Sequence, residues 1–176
     1  MTRLLARFRV FLGFVCGVAV FVLARPTRQS IAVGLPIALA GEAIRIWAAG
    51  HLNKSREVTR SGPYRFVAHP LYLGSSLIGA GLAIGAGRVA VVAIVAAYLL
   101  VTLTAAIRSE EAFLRDRFGA AYDDYKRQRA VDRGRRFSWK QAMANREYRA
   151  VSGVIAAVLL LIAKATYNGM FWNLRI

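Results

Sequence analysis

Five apolar stretches divide this chain, and each is close to the length that a helix needs to cross a lipid bilayer. Hydrophobic residues make up 57% of the 176 residues, and they are concentrated in blocks. A membrane-spanning helix needs about 20 mostly apolar residues. The sequence therefore predicts an all-α, polytopic membrane protein with about five transmembrane helices, forming one domain over the whole chain. The predicted spans cover residues 10–24, 31–52, 70–87, 89–107 and 150–167.

The charge distribution predicts which side of the membrane each connection occupies. The formal net charge is +16, and the lysines and arginines lie beside the apolar blocks. Anionic lipid headgroups are therefore the expected counter-charge, and nucleic acid is not an expected partner. Basic residues accumulate in the N-terminal segment, in loop 53–69 and in segment 108–149. The positive-inside rule predicts that these three regions are cytoplasmic.

The first stretch follows Arg3, Arg7 and Arg9, a composition that is also typical of a signal peptide. We interpret it as a retained first span. The single cysteine, Cys16, lies within it, so neither an internal disulfide nor a cysteine metal cluster is expected. Together with the short cytoplasmic connections, these features fit a protein of a bacterial inner membrane.

A helical hairpin is predicted over residues 70–107. Residues 85–88 are too few for anything but a tight turn, and the spacing of Gly81 and Gly85 permits close approach of helix backbones in lipid. The hairpin returns the chain to the side of the membrane from which it started. The loop before Leu71 and the segment after residue 107 are therefore expected to meet. Segment 108–129 has the apolar spacing of a cytoplasmic amphipathic helix that Gly119 could interrupt.

Two charged residues, Glu42 and Arg45, fall inside the second stretch. Charges at membrane depth cost several kcal/mol unless they are paired or hydrated, so both are functional candidates. Their spacing equally allows an i, i+3 ion pair on one helix face. His51, near the end of this stretch, is expected to be an interfacial histidine hydrogen-bonded to water.

Residues 62–74 form the most unusual connection in the chain, with two prolines, two tyrosines and a histidine. Because the hairpin brings the later segment back to the same side, Glu110 and Glu111 are expected to complete a site there. Plain structural explanations also exist. Glu111 could pair with Arg115 at i, i+4, and His69 could be an interfacial side chain bonded to backbone.

The ordered set of motifs on both sides of the hairpin resembles the isoprenylcysteine carboxyl methyltransferase family, which shares a superfamily with phospholipid N-methyltransferases. The resemblance covers residues 42–127, between the first span and an additional C-terminal span at 150–167. The matching residues are Gly62-Pro63-Tyr64, His69-Pro70-Leu71-Tyr72-Leu73-Gly74, Glu110-Glu111 and Tyr122-Asp123-Asp124-Tyr125.

The resemblance implies an integral membrane methyltransferase that binds S-adenosylmethionine between the membrane face and the cytosol. The acidic pair would hold the amino-acid end of the cofactor, and a carboxylate suits its ammonium group. Tyrosine rings suit adenine or the positively charged sulfonium. No metal is expected. The cofactor-binding residues that the resemblance implies are Arg56, Val58, Thr59, Tyr64, His69, Pro70, Leu71, Tyr72, Gly74, Glu110 and Glu111.

The implied acceptor is lipid-like or prenylcysteine-like and would enter sideways from the bilayer. The family usually has a long polar residue where this chain has Ala68, and the prenylcysteine enzymes have a substrate-binding arginine where it has Ala106. Arg108 or Arg45 could substitute for that arginine. The catalytic candidates are Glu42, Arg45 and Arg108.

The chemistry of transfer stays open between carboxyl O-methylation and amine N-methylation. A carboxylate acceptor needs no base, whereas an amine must first lose a proton, for which Glu42 or His69 are candidates. Two other classes of protein also remain: a membrane sterol or enone reductase that uses NADPH on a related scaffold, and a non-catalytic lipid-binding protein.

Overall fold

The computed structural model describes residues 2–54, 56–128 and 135–171, and the regular secondary structure in these ranges is helical with no strand, as the sequence predicts. Seven α-helices and a 3₁₀ turn at Gly62–Arg65 make up the described chain. The helices are α1 (Thr2–Leu23), α2 (Arg28–His51), α3 (Pro70–Gly85), α4 (Val89–Phe118), α5 (Ala120–Gln128), α6 (Trp139–Ala144) and α7 (Tyr148–Tyr167).

Each of the five predicted spans lies largely within a helix, and three of these helices have the full length and apolarity for crossing a membrane. These three are α2, α4 and α7. The apolar segments of the other two are shorter, Gly13–Leu23 and Pro70–Gly85. At about 1.5 Å per residue, α3 is about 24 Å long, less than a bilayer core of about 30 Å. That α1 and α3 also cross stays a prediction.

Helix α3 packs most extensively on α2, and glycines set the distance between the two backbones. A Cβ added at Gly41 would lie 2.6 Å from the carbonyl oxygen of Gly74. One added at Gly81 would lie 2.5 Å from the backbone nitrogen of Ala38. Small residues that let backbones touch are common between membrane helices. The glycine spacing, which the sequence alone associated with the α3–α4 hairpin, therefore serves mainly the contact with α2.

The turn between α3 and α4 is tight, as predicted. Gly87 has φ +70°, and an added Cβ would lie 2.4 Å from the carbonyl oxygen of Arg25, so only glycine fits without strain. The backbone N–H of Arg25 donates to the carbonyl oxygen of Ala86 at 2.8 Å. The α1–α2 connection and this turn thus lie at one end of the bundle. The end of α2, the start of α3 and the end of α4 lie toward the other.

Helix α4 continues well past the predicted end of its span. Residues 108–118 belong to the same 30-residue helix, so the separate amphipathic helix predicted from the sequence was wrong in its first half. No glycine or proline interrupts residues 89–118, so the helix runs on where its composition changes from apolar to polar. The predicted break at Gly119 is confirmed, with φ +50°, and α5 follows. Residue 129, the last of the predicted helix, lies outside the described residues.

A short helix that was not predicted, α6, docks on the C-terminal end of α2. The side-chain amides of Gln141 and Asn145 donate to the carbonyl oxygen of Leu52 at 2.9 Å and 2.8 Å. Carbonyls at a helix end lack partners within the helix, so these amides cap it. The docking brings Glu147, at the start of α7, against Arg45 of α2.

Candidate active site

A cavity of about 550 Å³ lies where the loop after α2, the start of α3, the end of α4 and α5 meet. The structure thus brings together the two segments that the hairpin argument joined. Nine of the residues proposed from the sequence line the cavity. They are Arg45, Val58, Thr59, Tyr64, His69, Pro70, Leu71, Tyr72 and Glu110.

The other five proposed residues do not line it: Glu42, Arg56, Gly74, Arg108 and Glu111. Arg56 and Arg108 are exposed, and Arg108 does not line the cavity although the nearby Ala106 and Ser109 do. Gly74 is buried in the contact with α2. Both carboxylate oxygens of Glu42 are buried and have no hydrogen-bond partner among the described residues. The structure therefore does not support Arg108 as a group that meets the acceptor.

The loop that forms one wall turns over a buried histidine. Gly62 has φ +56°, and a Cβ there would lie 2.6 Å from the ring of His51. The Nδ1 atom of His51 lies 2.9 Å from the carbonyl oxygen of Trp47, and Phe137 packs against its ring at a centroid distance of 6.1 Å. The prediction of a water-bonded interfacial histidine was wrong, because this neighbouring aromatic residue and the loop cover the ring. His51 instead supports the 3₁₀ turn.

Three tyrosines fix the part of the wall next to that turn. The hydroxyl of Tyr125 donates to the carbonyl oxygen of Tyr64 at 2.8 Å, which ties α5 to the turn. Burial raises the pKa of Tyr64 above its usual range. Burial, followed by the charge of Glu111, raises the pKa of Tyr122 to about 12. Both phenols are therefore neutral at physiological pH. The Tyr122 hydroxyl is buried with no hydrogen-bond partner among the described residues.

His69, the residue just before α3, connects the motif loop to the acidic pair. Its Nε2 lies 3.2 Å from Oε1 of Glu111, and its Nδ1 lies 3.8 Å from Oε2 of Glu110. Lys126 of α5 contacts the same Glu111 oxygen at 2.7 Å. The two glutamates therefore differ in position: Glu110 faces the cavity, and Glu111 braces His69 from behind. The ring of Tyr72 lies beside His69 at a centroid distance of 5.7 Å.

Arg45 has a different partner from the one that its spacing suggested. Its Nε and Nη2 atoms donate to the two carboxylate oxygens of Glu147 at 2.7 Å and 3.2 Å. Its Nη1 donates to Oγ of Ser75 at 2.5 Å. The i, i+3 pair with Glu42 is therefore not formed. Likewise Arg115 pairs with Asp123 at 3.1 Å, and the alternative Glu111–Arg115 pair is also wrong.

Several residues of the wall were not among those proposed from the sequence. Tyr122, Tyr125, Phe113 and Leu114 supply aromatic and apolar surface, and Lys54 and Glu57 add charges. The helical spacing of the two tyrosines was a usable signal, because residues three apart share a helix face. Nothing in the sequence near Glu147 indicated that it would contact the wall.

The fold and the cavity define a class: helical proteins with membrane-length apolar helices and, at one end of the bundle, a cavity lined by tyrosines, apolar residues and a few charged side chains. The model of the phospholipid methyltransferase family matches residues 12–121, more than half of the chain. The chain belongs to this family of membrane methyltransferases. Neither the curated proteins nor the solved structures gave a match.

Proposed function

We propose that this protein transfers a methyl group from S-adenosylmethionine to the headgroup of a lipid at the cytoplasmic membrane interface. One observation supports this above the others: His69, Glu110 and four tyrosines line a single cavity beside the C-terminal parts of the membrane-length helices α2 and α4. The family match independently favours methyl transfer over the reductase and the non-catalytic protein.

The residues of the cavity fit the cofactor. A volume of about 550 Å³ is within the usual range for small-molecule sites. The Glu110 carboxylate would hold an ammonium group, and the Tyr122 hydroxyl would gain the partner that it lacks among the described residues. Tyr64 and Tyr72 present rings that suit adenine or a sulfonium. When bound, the cofactor would supply an electrophilic methyl group whose loss leaves a neutral thioether.

The lipid acceptor is best described as an amine. The arginine that would bind a carboxylate acceptor is missing, because Glu147 neutralises Arg45 and Ala106 occupies the corresponding place on α4. An amine must be deprotonated before its nitrogen lone pair can form a new bond to carbon. His69 is suited to take that proton, because its Nε2–H donates to Glu111 and the lone pair then resides on Nδ1. Glu42, the other candidate base, does not line the cavity.

The remaining work of the protein is positioning and exclusion of water. In-line transfer gains most when donor and acceptor are held in contact, and Tyr125, by closing the turn at Tyr64, keeps that wall in place. Basic residues beside the cavity, including Lys54, support placing it on the cytoplasmic side and near anionic headgroups.

Calorimetry on the purified protein tests the proposal. Titration with S-adenosylhomocysteine should give saturable binding with a Kd below about 1 mM, and NADPH should give none. Methyl incorporation should then be measured with vesicles of amine-headgroup lipids, vesicles without amines, and a prenylated cysteine. Methylation of the prenylated cysteine alone would contradict the amine assignment, and binding of NADPH alone would contradict methyl transfer.

A further inference from the structure

We propose that Glu147 is a positioning residue, which acts through Arg45 to shape the acceptor side of the cavity. This inference rests on the proposed function and adds a part of the chain to it. Glu147 lies beyond residues 12–121, the range that the family model matches. It does not line the cavity itself, whereas Arg45 does.

The guanidinium of Arg45 is held on two sides. Glu147 accepts from Nε and Nη2, a two-point contact that fixes the plane of the group. On the other side, Nη1 donates to Oγ of Ser75 at 2.5 Å and to the carbonyl oxygen of Leu71 at 3.4 Å. An arginine has five N–H donors, so one on Nη2 stays without a partner among the described residues. The arrangement holds one oriented donor at the wall.

Glu147 is held as firmly as the residue that it orients. Its side chain is only 5% exposed. The segment before it is bonded to the end of α2: the N–H of Ser138 donates to the carbonyl oxygen of Gly50 at 3.2 Å, and Asn145 donates to that of Ala49 at 2.8 Å. The backbone N–H of Glu147 donates to the carbonyl oxygen of Ala142 at 3.2 Å, which ends α6 and aims α7. The connection between α6 and α7 therefore holds the Glu147 carboxylate at a fixed position beside α2.

The position of Arg45 along α2 indicates the acceptor side. Arg45 precedes the end of α2 at His51 by six residues, about 9 Å along the axis. Arg45 therefore lies closer to the apolar middle of α2 than Val58 and Thr59 do, because these two residues are in the loop after the helix. A lipid headgroup that enters from the bilayer meets Arg45 first, while a soluble cofactor meets the loop.

Glu42 offers Arg45 an alternative partner, so the Arg45 guanidinium is expected to move when Glu147 is removed. This buried carboxylate lies one turn before Arg45 on α2 and has no hydrogen-bond partner among the described residues. Without Glu147, an i, i+3 pair with Glu42 becomes the available contact for Arg45. Forming that pair turns the guanidinium along α2 and away from Ser75.

The Glu147→Gln variant tests the inference, because glutamine keeps the shape and removes the charge. The KM for the lipid acceptor should rise about tenfold, the size expected for losing a hydrogen bond to a charged group. The Kd for S-adenosylhomocysteine should stay within about twofold. Asp123→Asn, which breaks the exposed pair with Arg115 outside the cavity, should leave both quantities unchanged. An unchanged acceptor KM in Glu147→Gln would overturn the inference.

Exchanging the charges of Arg45 and Glu147 distinguishes orientation of the guanidinium from simple stabilisation of the contact between α2 and α7. In Arg45→Glu combined with Glu147→Arg, the ion pair can re-form, but no guanidinium is held on α2. The thermal stability of this double variant should be close to that of the parent protein, whereas its KM for the lipid acceptor should be raised. Recovery of the KM would show that the pair only fastens α2 to α7. Where the exchanged protein does not fold, Ser75→Ala decides: a raised acceptor KM supports the inference, and an unchanged one contradicts it.

Failure of the inference is distinguishable from failure of the proposed function. If the parent protein binds no S-adenosylhomocysteine and methylates no lipid, the proposed function itself is wrong, and Glu147 with it. If the parent binds and methylates normally but Glu147→Gln does the same, only the role of Glu147 is wrong.

Discussion

His69 Nε2 lies 3.2 Å from Glu111 Oε1, although the two residues are 42 positions apart in the chain. The contact joins the loop before α3 to the part of α4 that continues past its apolar segment. Lys126 of α5 completes the group by contacting the same oxygen at 2.7 Å. The orientation of His69 at the cavity therefore depends on a residue that does not itself line the cavity.

Removing the Glu111 carboxylate should lower kcat more than it weakens cofactor binding. In Glu111→Ala, His69 loses the acceptor that fixes its Nε2–H, so we expect kcat to fall about tenfold and the Kd for S-adenosylhomocysteine to change little. Lys126→Met is the matched control. It removes only the partly exposed ion pair, which contributes at most about 1 kcal/mol, so kcat should change far less. Equal losses in both variants would mean that the ion pair, and not His69, matters.

The glycine contact between α2 and α3 can be tested through stability. Gly41→Ala places a methyl group 2.6 Å from the carbonyl oxygen of Gly74, so the helices must separate. We expect a loss of about 1–3 kcal/mol, typical of overpacked sites, measured by thermal unfolding in detergent. Gly153→Ala on α7 has nothing within 4 Å of the added methyl and should be neutral or slightly stabilising. A stable Gly41→Ala protein would show that the backbones are not in contact.

Alkaline pH should destabilise the protein through Tyr122. The pKa of its phenol is raised from 10.0 to about 12, chiefly by burial, so the folded state favours the neutral form. This contribution to stability is full below pH 10 and is lost as the pH rises through about 12. The midpoint of thermal unfolding should therefore fall more steeply between pH 10 and 11.5 in the parent protein than in Tyr122→Phe. Parallel curves would mean that the phenol is accessible to water.

Tyr122→Phe also tests the contribution of the hydroxyl to binding. The hydroxyl is buried without a partner among the described residues, so at pH 7 its removal should leave the ligand-free protein at least as stable. The affinity for S-adenosylhomocysteine should nevertheless fall, by about threefold to tenfold, if the ligand supplies the missing partner. An unchanged affinity of Tyr122→Phe for S-adenosylhomocysteine would show that the Tyr122 hydroxyl does not contact the ligand.

The sequence was sufficient to predict the five helices that contain the apolar stretches and the meeting of the two motif segments. Apolar runs form helices wherever a chain lies in a bilayer, and a hairpin follows when the turn between two such runs is too short to cross the bilayer again. Tyr64, His69 and Glu110 could therefore be assigned to one place without knowledge of any angle between helices. The end of α4 was missed because composition changes at residue 108 while helix propensity does not.

The pairings of buried charges could not be predicted in the same way. Arg45 and Glu147 are 102 residues apart, and the nearest acidic residue on its own helix, Glu42, offered a plausible local partner. The choice between them depends on α6, whose docking uses side-chain amides on backbone carbonyls of α2. Such contacts have no periodic pattern in the sequence. The same reason hid the burial of His51, which Phe137 helps to cover.

The most direct measurement of the central claim is the affinity of three proteins for S-adenosylhomocysteine by calorimetry. These are the parent protein, Glu110→Ala, and Asp116→Asn, a control on the exposed surface of the same helix. We predict saturable binding by the parent and by Asp116→Asn, and a loss of about tenfold or more in Glu110→Ala without a change in thermal stability. Equal affinities in all three proteins would contradict a cofactor site formed by His69 and Glu110.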